Sequence, residues 1–548
     1  MQIPTTQRAG DECSLQSQTA MVDALRRQLE AAGRTVVRLE THISWVLVCG
    51  GHACKIKKAL RNPFLDQSTL ALRRHACEEE LRLTRRLAPD LYLAVLPVTG
   101  TPAAPVLGGH GAAIDYAVQM RAFAQDDLWD RLAARGQLRS THIDELLDVL
   151  VPFHARAAVA VPGGRLGSPG QVRAQLLESL DDLARMMEAP EAASALPPLR
   201  AWEAAAVDRH GPVLARRLAQ GRVRECHGDL HLGNVTRIDG RSTVFDGVEF
   251  NDDFRWIDVM SEVAFMAMDL HAHALPQLAH RFVDGYLERS GDHGGIAVLD
   301  YYLVHRAMVR AKVELLRAAQ RAAPDEAEAD RQAARRYLGL ALRFSRREPG
   351  HAALLLTHGL SGSGKSTLTQ GLLEAAGAIR IRADVERKRL AGLGPLDRGG
   401  PAVAARLYAP DMTAATYARL RGLAAGVMQA GYPAILDATF LQRAQRDAAR
   451  RLAARQQVPS VILDFECNVE TLRQRLRLRH ATGRDASDAD EAVLAAQLRT
   501  AEPLGPDERA AAYRCSGSEP EEGGAPSVDW TPLLAQLGIG EDVPAQEP

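Results

Sequence analysis

Hydrophobic and polar positions change period several times along the chain, and each change marks an element. From Ala20 to Ala32 apolar residues recur at helical spacing and stop at Gly33, a residue suited to a helix C-terminus. The next stretches are β-prone: Thr35–Glu40, Ser44–Cys49 and, after a Gly50-Gly51 turn, His52–Lys58, which alternates with period two. A helix carries Glu78, Glu79 and Glu80 ahead of Leu83 and Leu87, and Ile114–Phe123 reads as a strand. Asp126–Arg135 and Thr141–Ala158 read as helices, and the chain to about Arg224 is mostly helical with polar breaks. Val235–Ile238 and Ser242–Phe245 flank Asp239-Gly240, a pair that favours a tight hairpin turn. Helices are predicted again over Val259–Leu270, Val298–Ala319 and Ala327–Arg347.

After the polar stretch Arg346–Gly350 the pattern changes. Ala352–His358 is a continuous apolar run of the kind buried in a parallel sheet. Ile379–Asp384, Ala434–Asp437 and Val461–Phe465 read as further strands separated by helices, with an Arg-rich helix over Val469–Arg479. The fold class is therefore mixed, α+β before the boundary and α/β after it. The domains expected are a disordered lead over 1–19, a first domain over 20–347 and a second over 350–515. Residues 516–548 read as a mostly flexible tail in which Trp530–Leu537 can dock.

Composition narrows the classes. A length of 548 residues exceeds one core and suggests three to four compact units. A formal net charge of -1 argues against a general nucleic-acid or membrane-surface binder. The 7 Cys are odd in number and form no C-x-x-C pair, so neither a disulfide framework nor a zinc site is expected. No apolar run has the length of a membrane span, and Met1–Ala20 lacks the apolar core of a signal peptide. A cytoplasmic location is expected.

The first candidate chemistry lies in His227-Gly228-Asp229-Leu230-His231-Leu232-Gly233-Asn234. The hairpin that follows returns the chain to its starting edge, so Asp229, Asn234 and Asp246 can converge. Phosphoryl transfer to a hydroxyl needs Mg²⁺ on oxygen ligands and a carboxylate that orients the hydroxyl or takes its proton. Asn234 and Asp246 are the candidate ligands, and Asp229 is the candidate base. On the strand His52–Lys58, Lys55 and Lys57 share one face and either can reach phosphates; Lys57 and Lys58 also fit a solvated basic edge. Glu79 and Glu80 are equal candidates to orient the lysine. Asp258 is a candidate brace for the loop, and Glu249 and Asp252 face substrate or cap a helix.

The loop resembles that of aminoglycoside phosphotransferases and choline/homoserine kinase-like proteins. From about Glu40 to Leu270 the chain is similar to bacterial proteins that fuse such a domain to a P-loop ATP-binding domain. The resemblance rests on Glu40–Val46, Lys55–Lys58, Phe64–Asp66 and Phe245–Asn251. It implies a bilobal protein-kinase-like fold, with an N-lobe over about 20–122 and a C-lobe over about 123–347. It also implies Lys55 as the phosphate-binding lysine and an adenine-binding hinge near Met120–Phe123. The segment Thr41–Trp45 would replace a glycine-rich loop, since no G-x-G-x-x-G is present.

The second candidate is Gly359-Leu360-Ser361-Gly362-Ser363-Gly364-Lys365-Ser366, a complete P-loop motif between a strand and a helix beginning at Thr367. Its glycines let backbone N–H groups wrap phosphates at a helix N-terminus. Lys365 would reach the terminal phosphates and Ser366 would hold Mg²⁺, with Asp437 at the end of a buried strand supporting the metal. Asp384-x-x-Arg387 resembles polynucleotide kinases and zeta-toxin-like kinases, which implies that Asp384 orients an acceptor hydroxyl and Arg387 an acceptor anion. Arg479 and Arg484 are candidates from an Arg-bearing lid, Arg484 for charge on the transferring group. Arg473, Arg475 and Arg477 read as a solvated face.

The expected function is two ATP- and Mg²⁺-dependent transfers to hydroxyls of small, sugar- or nucleoside-like molecules. Alternatives for the P-loop half are a nucleic-acid 5′-hydroxyl kinase, which the net charge disfavours, and an ATP-sensing regulator of the first half.

Overall fold

Alternation along Ser44–Cys49 and His52–Lys57 puts Trp45, Leu47 and Ile56 on one face of a sheet and Ala53 on the other. The computed structural model describes residues 15–41, 43–62, 65–346, 351–397, 400, 403, 406–482, 486–487, 489–515 and 528–539. It builds these strands into a six-stranded antiparallel sheet. The spatial order is Val36–Glu40, Ser44–Cys49, His52–Lys57, Ala113–Arg121, Tyr92–Thr101, Ala104–Leu107. The helix Leu15–Ala31 covers the first face with Met21, Val22 and Leu25. The helix Leu70–Thr84 serves the second, where Cys77 joins Ala53, Tyr92 and Val118.

The first helix begins inside the expected disordered lead. Gln18 is fully buried, and its Nε2 donates to Lys57 O (3.1 Å) and Asp115 Oδ2 (2.6 Å). A polar residue at a core position hid the apolar period there. Positions 1–14 lie outside the described residues.

Beyond this sheet the first unit is mainly helical, with Ser140–Arg156, Pro169–Met186 and Ala189–Ala219. Val259–Ala272 is buried from Val259 to Leu270, as its lack of a polar face requires. The predicted hairpin forms between Val235–Ile238 and Arg241–Val244. Its turn residues Asp239 and Gly240 have φ of 50° and 78°, both in the left-handed region that an Asp-Gly turn tolerates. This unit is the bilobal kinase-like fold that the resemblance implies.

The second unit is α/β. Its five parallel strands run in the order Ile379–Arg382, Ala434–Asp437, Leu354–His358, Ser460–Asp464, Ala512–Arg514. Leu355, Ile435, Val461 and Leu463 pack with Leu368, Leu372 and Leu373 of the helix Lys365–Ala376. Leu533 of the last described helix, Thr531–Leu537, and Trp530 at its N-cap complete this cluster, so that part of the expected tail is docked. The rest of 516–548 lies outside the described residues.

The chain divides into two compact units rather than three or four. One holds the described residues up to Asp269 together with His305–Gly339; the other holds Leu270–Val304 and the described residues from Leu340. Residues 270–304, expected in the first domain, thus belong with the P-loop sheet. Their helix Pro276–Ser290 packs on the edge strand Ile379–Arg382 and on the helix Lys365–Ala376.

Asp284 on that helix is 4% exposed and accepts the Arg380 N–H (2.7 Å). Burial pushes its carboxyl up from 3.8 to about 7, with Arg380 opposing and Glu288 assisting. The folded protein therefore keeps a proton that the unfolded chain has lost. This contribution to stability is full below about pH 4 and disappears as pH rises through 7. Asp284→Asn keeps an acceptor for the amide and removes the titration. Above pH 7 it should unfold at higher denaturant than the parent, by on the order of 2–4 kcal/mol, with no difference near pH 4. Urea melts at the two pH values check this.

Candidate active sites

The hairpin places its second strand against the end of the first loop. Phe245 N–H donates to Asn234 O (3.0 Å), and Asp246 follows directly. Asn234 Nδ2 donates to Asp229 Oδ2 (3.0 Å) and to the Asp229 carbonyl (2.9 Å). His231 Nε2 lies 3.4 Å from Asp229 Oδ2. Burial alone would raise the Asp229 carboxyl, but His231 and Arg310 outweigh it and hold the group far below the ordinary carboxylate range. Asp229 is therefore ionised at any physiological pH, with 37% of its side chain exposed.

Buried polar groups fix the loop from behind. His227 Nε2 donates to Phe245 O (2.8 Å) and its Nδ1 accepts the Asp229 N–H (3.3 Å), while burial keeps the ring neutral. Glu262 accepts the Gly228 N–H (2.7 Å) and pairs with His154 (2.6 Å). Asp269 accepts the Leu232 N–H (2.9 Å) and the Tyr337 hydroxyl (2.7 Å). Gly228 has φ 90°, and a Cβ there would meet Phe254 O at 2.7 Å, so the position requires glycine. Asp258 acts one step further back: it ends the strand Trp256–Asp258, which pairs with Val223–Glu225 just before the loop, and accepts from Arg217 of the helix Ala189–Ala219 (2.6 and 2.7 Å).

Lys55 Nζ donates to Glu80 Oε1 (2.9 Å) and contacts Asp246, whose N–H donates to Tyr92 Oη (3.1 Å). Asp246 itself has φ 61°, uncommon for a residue with a side chain. Glu80 is thus the lysine's partner; Glu79 pairs instead with Arg82 (2.8 Å). Lys57 is not on a solvated edge. It is fully buried against Glu80 and Glu249, because alternation points both lysines toward the helix Leu70–Thr84. Glu249, expected at substrate or a cap, is consumed by this pair. Asp252 stands in the first turn of a short helix against Arg255, with Asn251 as its cap. Lys58, also expected on the edge, pairs with Glu40 (2.8 Å) and lies over the Trp45 ring.

Burial would raise the Glu80 carboxyl, but Lys55 and Lys57 more than reverse this and hold it low. Removing one member leaves buried charges uncompensated. Lys57→Met should destabilise the first unit by about 3–5 kcal/mol, and adding Glu249→Met should recover part of it. Denaturant midpoints of the single and double variants measure both.

Met120 lies at the end of the strand Ala113–Arg121, opposite Ala53 and Tyr92, and is 8% exposed. The segment expected as the hinge continues through Ala122, whose N–H donates to Gly51 O (2.9 Å), to Phe123, edge-on to Phe245. Thr41 accepts the Ser44 N–H (3.0 Å) in the segment ahead of Trp45, and His42 lies outside the described residues.

In the second unit, Gly359, Gly362 and Gly364 have φ of 144°, 89° and 89°. A Cβ at Gly359 would sit 2.7 Å from Phe465 O. Lys365 Nζ donates to Gly359 O (3.0 Å) and Leu360 O (2.8 Å), and also reaches Ser363 Oγ (3.4 Å). Ser366 Oγ donates to Asp437 Oδ2 (2.6 Å). A cavity of about 1300 Å³ opens over Ser361–Leu368, Thr367 included, and over Asp384, Arg387 and Asp437. Asp384 is not the last residue of a strand: the strand ends at Arg382, and Asp384 stands in the first turn of the helix Ala383–Leu390. There it pairs with Arg387 (2.6 Å), whose guanidinium lies over the Tyr408 ring at 4.9 Å.

Sequence reasoning missed Gln497, which accepts the Ser361 N–H (3.0 Å) and donates to Ser361 Oγ (2.9 Å). A lone glutamine on a helix gives no signal. Arg475, expected on a solvated face, donates to Gly362 O (3.4 Å) and lines the cavity. The Arg479 side chain and Arg484 lie outside the described residues. The candidate ligands at both sites are oxygen donors, Asn234 and Asp246 in one and Ser366 and Asp437 in the other, a set that suits a hard cation such as Mg²⁺. No described helix is long and apolar enough to cross a membrane.

Residues 354–504 match the AAA_33 family, an AAA domain. A choline/ethanolamine kinase family protein from Mesorhizobium loti is similar over 60% of this chain and 100% of its own, with 15% identity and a TM-score of 0.36. A gluconokinase from Sinorhizobium meliloti is similar over 31% of this chain and 83% of its own, with 23% identity and a TM-score of 0.21. Uncharacterized protein Rv2004c of Mycobacterium tuberculosis is 31% identical over 462 residues, which cover 84% of this chain and 89% of that protein. The chain belongs to the family of that mycobacterial protein, and its residues 354–504 form an AAA-type domain that carries the P-loop motif.

Proposed function

We propose that the protein is a phosphotransferase with two active sites, each moving the γ-phosphoryl of ATP to a hydroxyl of a small, sugar- or nucleoside-like molecule. The observation that carries this reading is repeated in both units. A lysine held by the protein, oxygen donors suited to Mg²⁺ and a further carboxylate meet at one place.

In the first site Lys55, fixed by Glu80, steadies the phosphates, and the strand end at Met120 receives adenine. Asn234 and Asp246 would hold Mg²⁺, which when bound offsets charge on the phosphates. Asp229 orients the acceptor hydroxyl. Its depressed pKa keeps it a charged hydrogen-bond acceptor and a poor proton store, so it aligns the nucleophile more than it carries the proton away. In the second site the loop Gly359–Thr367 wraps the phosphates, with Lys365 at their end and Ser366 and Asp437 as the Mg²⁺ side. Asp384 aligns the acceptor hydroxyl, Arg387 binds an acceptor anion, and Arg484 meets charge on the moving group.

The test is transfer of label from γ-labelled ATP by the intact chain to sugars, aminoglycosides, nucleosides and 5′-hydroxyl oligonucleotides. Labelled small molecules support this reading. Label only on oligonucleotides favours a nucleic-acid kinase. Hydrolysis with no acceptor dependence favours a sensing role for the P-loop unit.

A further inference from the structure

The edge strand Ile379–Arg382 carries two arginines into the P-loop site, and both are held by the helix Pro276–Ser290. Arg380 Nη1 donates to Ser366 O (2.6 Å) and its Nη2 to Gln370 Oε1 (2.9 Å), while its own N–H is taken by Asp284. Lower on the same helix, His280 Nδ1 donates to Glu374 O (2.7 Å) and Arg281 pairs with the Glu374 carboxylate (2.8 Å), which fixes the helix that begins at Lys365. Arg382 lines the cavity and bridges two carboxylates. Its Nη1 donates to Glu288 Oε1 (3.4 Å), and its Nε lies 3.9 Å from Asp437 Oδ2, the oxygen that accepts the Ser366 hydroxyl.

We infer that Glu288 is a positioning residue of the P-loop site: it holds Arg382 back from Asp437 and so keeps that carboxylate available to Mg²⁺. The inference rests on the nucleotide-site reading above. A guanidinium between two carboxylates closes on whichever retains its charge. With Glu288 neutralised, Arg382 settles on Asp437 and competes with the cation. The P-loop site is thus assembled from two distant stretches of sequence, residues 354–515 and the helix Pro276–Ser290, within one compact unit.

The test is calorimetric binding of ADP to the full chain over a series of Mg²⁺ concentrations. The P-loop component is the one lost in Lys365→Ala. Glu288→Gln should raise the Mg²⁺ concentration needed for half-maximal enhancement of that component by roughly three- to thirtyfold, inside the span of coupling found within one ion-pair network. Binding of ADP without Mg²⁺ should be unchanged. Adding Arg382→Met to Glu288→Gln should restore the Mg²⁺ dependence, which a merely structural role for Glu288 would not do. An unshifted Mg²⁺ dependence in Glu288→Gln, or a shift that Arg382→Met leaves in place, would overturn the inference. If no binding component is lost in Lys365→Ala, the nucleotide-site reading fails instead.

Discussion

Asp229→Asn should lower phosphoryl transfer by the first unit by roughly 10²–10⁴-fold, the usual contribution of a positioned acid–base group. The substitution changes little in shape. The amide can still meet Asn234 and His231, and the braces from His227, Glu262 and Asp269 hold the backbone rather than this carboxylate. What disappears is the negative charge that aligns the acceptor hydroxyl. The loss should therefore fall on kcat, with the KM for ATP nearly unchanged. The depressed pKa adds a second expectation. Asp229 is charged well below neutrality, so its titration should give no acid limb between about pH 5 and 7. Unchanged turnover in Asp229→Asn would remove the residue from the mechanism.

Lys365→Ala should abolish the nucleotide-dependent activity of the P-loop unit, by roughly 10²–10³-fold or more. Lys365 is 9% exposed and arches over its own loop, bonded to carbonyls at both Gly359 and Leu360. Its charge is therefore preorganised where phosphates sit against the N-terminus of the helix Lys365–Ala376. Alanine removes that charge and keeps the helix, so stability should change little while affinity for nucleotide collapses. Isothermal titration with ADP and steady-state ATP consumption separate the two effects. Retained P-loop turnover in this variant would exclude the motif as a working site.

Much of the first site was legible because hairpin chemistry is local. Asp239-Gly240 dictates a tight turn, and that turn alone brings Asp246 beside Asn234. The P-loop was legible for the same reason: glycines with positive φ and a lysine at fixed spacing leave one local geometry. What was not legible depends on packing across long separations. Alternation places Lys55 and Lys57 on one face, but only the fold shows that this face is buried, so pattern alone leaves Lys57 open between a phosphate ligand and an edge residue. Glu80 could not be separated from Glu79 because both lie within one helical turn and the partner strand decides between them. Gln18 was lost because a buried polar residue breaks the apolar period that identifies a helix. Most hidden was the helix Pro276–Ser290. A helical pattern carries no address, and this helix lies in sequence within the expected first domain while serving the second unit.

The central claim is that one chain carries two separate nucleotide sites. Calorimetric titration of the intact chain with MgADP, beside Lys55→Ala and Lys365→Ala, tests it most directly. The account predicts two binding events per chain, with one lost in each variant and the other kept. A single event, or one variant that removes both, would contradict it.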